Sequence, residues 1–111
     1  MTQHNNHLES EFHEAMLVIY DAALRLRPPY HATYFRRMVL ERGGRQAASD
    51  LLTTEDPSSG FTELYLRGRR LDLSVEYLVL KKPWRDLFSL EQLEVARMRL
   101  EKVGFLPPAE A

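Results

Sequence analysis

Cysteine is absent from the 111-residue chain. That excludes a disulfide framework, a thiolate zinc site and a cysteine nucleophile. A charge excess is also missing: 15 basic residues stand against 16 acidic ones, a net charge of -1, which removes the simple case for a strongly basic nucleic-acid binder. No apolar run is long enough to span a bilayer. The longest, Ala15 to Leu24, is interrupted by Asp21, so no membrane contact is expected. The opening MTQHNNHLESEFHEAM has no basic stretch followed by an apolar one, so no export signal is predicted and a cytoplasmic location is expected. Phosphate-cradling loops are lacking too. Gly43-Gly44 is not followed by Lys-Ser/Thr and Gly68 stands alone, so no cofactor is expected.

What is present is ordinary globular material, 44% hydrophobic and 28% charged, in a length that suits one domain. The apolar residues repeat at helical spacing. Leu8, Phe12, Met16, Ile19, Ala23 and Leu26 or Leu24 mark one face of a long helix that Pro28-Pro29 ends. Tyr34, Phe35, Met38 and Val39 form a second apolar face, closed by Gly43-Gly44. Arg45 to Leu52 predicts a short helix with Ala47, Ala48, Leu51 and Leu52 inward. Thr53 to Gly60 is all turn formers, and Phe61, Leu64 and Tyr65 restart a helix that ends near Gly68.

Asp72 is the predicted N-cap of the next helix, with Val75, Leu78 and Val79 buried and Lys81-Lys82-Pro83 ending it. The competing strand reading of Leu78-Val79-Leu80 is too short to prefer. Ser89-Leu90-Glu91-Gln92 is a capping box, with Leu93, Ala96, Leu100 and Val103 on one face and Gly104 as the stop. Phe105-Leu106 is expected to tuck back. The prediction is an all-α bundle of five to six helices in a single domain, 1–111, with 1–7 and 106–111 as flexible ends.

The small net charge hides alternating blocks. Residues 1–24 carry -4, 25–45 carry +5, 46–66 carry -4, 67–85 carry +4 and 86–111 carry -2. If the two basic blocks converge they make an arginine face; if they meet the acidic blocks they neutralise. Catalytic constellations are sparse. His4, His7, Glu11 and Glu14 have metal-like spacing but lie at a terminus, so no metal site is predicted. No serine sits on a G-x-S-x-G elbow. Arg25 and His31 resemble the paired residues of HEPN-type ribonucleases, although Pro28-Pro29 interrupts the helix that would present both. A helix-turn-helix beginning at Gly43-Gly44 fails because an eight-residue acidic loop separates its helices.

Tyr34-Phe35-Arg36-Arg37-Met38-Val39 with Gly43-Gly44, Ala47-Ala48 and Leu51-Leu52, then Gly60-Phe61-Thr62, Arg70-Leu71-Asp72-Leu73-Ser74-Val75-Glu76 and Leu87-Phe88, together resemble a family of small uncharacterised bacterial helical domains. The likeness spans residues 12–105. It implies a prokaryotic accessory domain, found alone or joined to other modules, and it brings no catalytic residues.

The leading expectation is a non-enzymatic adaptor that binds a protein partner, or itself, through an amphipathic helical surface. Its candidate anchors are Trp84, Arg85, Tyr65 and Tyr77, because aromatic residues and Arg are enriched at interfaces. The second expectation is nucleic-acid binding through Arg36, Arg37, Arg42, Arg45, Arg67, Arg69 and Arg70. The third is ribonuclease activity at Arg25 and His31.

Overall fold

Phe12, Met16 and Ala23 are buried along one side of the first helix, α1 (Thr2–Leu24), which forms the spine of the molecule. In the computed structural model, the backbone of residues 2–108 and the side chains from residue 7 onward are described. Helix α1 therefore reaches back through most of the stretch 1–7 that the sequence suggests as a flexible end. The side chain of His4 lies outside the described residues. The chain reverses after α1, where the Tyr30 N–H donates to the Ala23 carbonyl at 2.9 Å.

Helix α2 (Thr33–Arg42) follows, then α3 (Gly44–Leu52), with Gly43 at φ +89° making the corner between them. Here Gly44 is required for close approach. A Cβ on it would lie 2.7 Å from the His13 backbone Cα, and its N–H donates to His13 Nδ1 at 2.9 Å. A histidine of α1 thus caps the start of α3. Sequence spacing gives no sign of this contact, because the partners are 31 residues apart.

After a loop, α4 (Ser59–Leu66) leads into a 3-10 turn (Leu71–Leu73) and the short α5 (Val75–Val79). The strand alternative for Leu78-Val79-Leu80 is not realised. The expected cap at Asp72 is displaced as well: the N-cap of α5 is Ser74, whose Oγ accepts the Tyr77 N–H at 3.1 Å. Asp72 instead accepts two bonds from Arg70, at 3.0 and 3.1 Å. Two capping residue types stand within three positions, and Asp72 falls inside the 3-10 turn, so Ser74 is the residue that precedes the helix.

A second 3-10 turn (Trp84–Leu87) precedes α6 (Leu90–Lys102), which carries the capping box read from Ser89 and Gln92. The bundle is all-α, with six α-helices among the described residues. Helix α1 packs on α2, α3 and both 3-10 turns, while α5 lies along α6. Phe12 meets Phe88 edge to face at 5.3 Å and Trp84 at 5.8 Å. Phe105 folds back onto Tyr77 at 5.8 Å.

Candidate functional site

A cavity of about 410 Å³ opens between α1, α2, α3 and α4. Six stretches of the chain wall it. Helix α1 gives Ile19, Tyr20 and Ala23, and the connection after it gives Tyr30 and His31. Helix α2 gives Tyr34, Phe35 and Met38; α3 gives Leu51; α4 gives Phe61 and Leu64; and Leu73, Val75 and Glu76 complete the wall. The lining is mostly apolar, and its volume lies within the roughly 300–1,000 Å³ usual for ligand sites.

Two cations sit over the aromatic rim. The Arg36 guanidinium lies 5.8 Å from the Tyr20 ring centre, and that of Arg67 lies 5.4 Å from the Tyr30 ring. Arg67 also pairs with Glu63 at 3.1 Å and donates to the Pro28 carbonyl at 3.1 Å. It therefore ties the connection after α1 to α4. Burial, with Glu63 adding to it, pushes the Tyr30 hydroxyl above the usual tyrosine pKa, and Arg67 opposes the rise.

One wall of the cavity carries a buried ion pair. Arg99 of α6 donates to Glu76 Oε2 at 2.9 Å, with both side chains almost wholly enclosed. The same guanidinium donates to the carbonyls of Leu51 at 3.0 Å and Thr54 at 2.6 Å. One residue thus fastens α5, α6, the end of α3 and the loop beyond it. Desolvation raises the Glu76 pKa, while its backbone hydrogen bond and Arg99 hold the rise back. Neither role is visible in the sequence, where Glu76 reads as a first-turn acid and Arg99 as a late-helix base.

The anchors expected from sequence are engaged within the chain. Trp84 is half-buried against Phe12, and Arg85 beside it is half-buried. Tyr65 lies under Arg69 at 5.5 Å, and Tyr77 lies between Phe105 and Lys81. Tyr34, expected on the buried face of α2, is 72% exposed at the cavity rim. The arginines of the second expectation are largely matched by acids: Arg42 with Asp50, Arg45 with Glu9, Arg67 with Glu63 and Arg70 with Asp72. Arg37 is exposed on α2.

Arg25 and His31 fall in the connection after α1, not on one helix surface. His7 Nε2 lies 3.1 Å from Glu11 Oε2 in an exposed pair. Among the described residues, no group of three potential ligands is placed to hold a metal ion. Ser58, Ser74 and Ser89 all serve as helix N-caps. A second, polar hollow runs between His13 and the α2–α3 corner, and its Arg42 and Arg45 are held by Asp50 and Glu9. No helix among the described residues is long and apolar enough to cross a membrane. No family model matches the chain, and no curated protein or solved structure matches it either.

Proposed function

We propose that this chain is a non-enzymatic accessory module that binds a protein partner, and that the contact is made at the apolar cavity. The observation that carries the reading is the cavity itself: concave and mostly apolar, with Arg36 and Arg67 against two of its lining tyrosines. Partner segments commonly dock by placing bulky apolar side chains in such a hollow. Trp84 suits the interface role less well, because its ring already packs against Phe12.

The nucleic-acid reading has weaker support, since four of its seven arginines hold carboxylates of the same chain. Phosphate contacts would have to displace those acids.

The neutral fluorophore N-phenylnaphthylamine tests the cavity directly. Its emission is expected to rise on binding the full chain, with affinity falling about tenfold or more in Leu64→Trp, which fills the hollow. Trp84→Ala should leave the dye affinity unchanged. Absence of dye binding, or binding indifferent to Leu64→Trp and lost in Trp84→Ala, contradicts the reading.

A further inference from the structure

An apolar hollow selects for apolar bulk, but it does not select among apolar groups without a polar reference point. The rim supplies one. Arg67 is fully engaged, bonded to Glu63 and to the Pro28 carbonyl. Arg36 is different. It is exposed, it lies over the Tyr20 ring at the cavity wall, and among the described residues no carboxylate pairs with it. Its contact with Tyr20, which lines the cavity, limits the positions the guanidinium explores, so the charge stays near that wall instead of ranging through solvent.

The neighbouring charge agrees. Residues 19–38, which supply the α1–α2 side of the mouth, contain Arg25, Arg27, Arg36 and Arg37 against Asp21 alone. The acid that lines the cavity, Glu76, is already held by Arg99. An occupant with one carboxylate is thereby oriented: its apolar part enters the hollow and its acid lies toward α2.

We propose that Arg36 is the recognition group of this cavity, receiving the carboxylate of a Glu or Asp that neighbours the apolar anchor on an amphipathic segment of the partner. This rests on the cavity being the binding site. A guanidinium suits the task because it can meet a carboxylate with two parallel N–H donors while its face stays on the ring.

A pair of dyes with a similar arylamine body separates this inference from the reading beneath it. N-phenylnaphthylamine is neutral, and anilinonaphthalene sulfonate carries one anion. The full chain is expected to bind the sulfonate about three- to fivefold more tightly, the yield of one well-placed ion pair near a surface. Arg36→Gln should abolish that preference with the neutral dye unaffected, and Arg37→Gln, one residue along the same helix, should retain it. A preference that is absent, or that survives Arg36→Gln, overturns the role of Arg36 while leaving the cavity intact. Failure of both dyes to bind overturns the cavity reading as well.

The source of the carboxylate is then tested with two synthetic helical peptides, one with Glu three or four residues from Leu at the edge of the apolar face and one with Lys in place of that Glu. The acidic peptide is expected to displace the neutral dye at a lower concentration, with the difference lost in Arg36→Gln. Equal displacement, or better displacement by the basic peptide, overturns the proposal. If neither peptide displaces the dye while the sulfonate preference holds, the occupant is a small amphiphilic anion and the partner segment is refuted.

Discussion

Glu76 and Arg99 show how one buried contact joins stability to the site. Removing a partner from an enclosed ion pair typically costs about 3–5 kcal/mol, because the other charge is left without compensation. Arg99→Met also leaves the carbonyls of Leu51 and Thr54 without their donor. The variant is expected to lose at least about 3 kcal/mol in urea unfolding, a large share of a domain's total of roughly 5–15 kcal/mol.

Glu76→Gln keeps an oxygen for Arg99 and removes the charge. Because burial raises the Glu76 pKa in the folded state, the native protein holds that proton more tightly than the unfolded chain. The contribution is complete below the unfolded pKa of about 4.3 and is lost as pH rises through the folded value. Stability of the wild type relative to Glu76→Gln should therefore fall as pH rises through that window. A difference that is flat or increases with pH contradicts the assignment. The sequence could not reveal this pair, since 23 residues separate its members and neither breaks the helical pattern around it.

At the scale of elements, local signals were legible wherever the partners lie within a turn of each other. The apolar repeat through Phe12, Met16 and Ala23 announces α1, and Ser89 with Gln92 announces the start of α6. The start of α5 misleads for a physical reason: Asp72 and Ser74 are both good caps, and Asp72 is taken into the 3-10 turn that precedes the helix. Ser74→Ala should accordingly cost about 1 kcal/mol through the lost cap, and Asp72→Ala distinctly less. Equal effects in thermal or urea unfolding would contradict the placement of the cap.

The crossing of α1 and α3 is a stricter case. Gly44→Ala puts a methyl 2.7 Å from a backbone atom that cannot rotate away. The helices must separate, at an expected cost of about 1–3 kcal/mol. Gly68→Ala meets no neighbour and bears only the penalty of its positive φ, so it should cost less.

Across the whole molecule, the alternating charge blocks meet extensively in space. Arg45 from a basic block holds Glu9 from an acidic one, Arg42 holds Asp50, and Arg67 holds Glu63. The sequence left open whether the basic blocks would converge or be neutralised, because block charge carries no information about approach. Given these pairs, duplex DNA or RNA is expected to bind only weakly, even at about 50 mM salt, with a shallow salt slope. A steep slope that flattens on replacing Arg67, Arg69 and Arg70 by Ala would restore the nucleic-acid reading.

The cavity was the least legible feature of all. Its walls are ordinary core residues, and only the meeting of α1 through α5 leaves a hollow where a continuous core would otherwise stand. The measurement that tests its role most directly is an amide proton–nitrogen correlation titration of the full chain with N-phenylnaphthylamine. Saturable shifts concentrated at Ala23, Tyr30, Phe35 and Leu64 are the predicted result. Shifts centred on Trp84 and Phe88, or none at all, would contradict the assignment of the cavity as the working site.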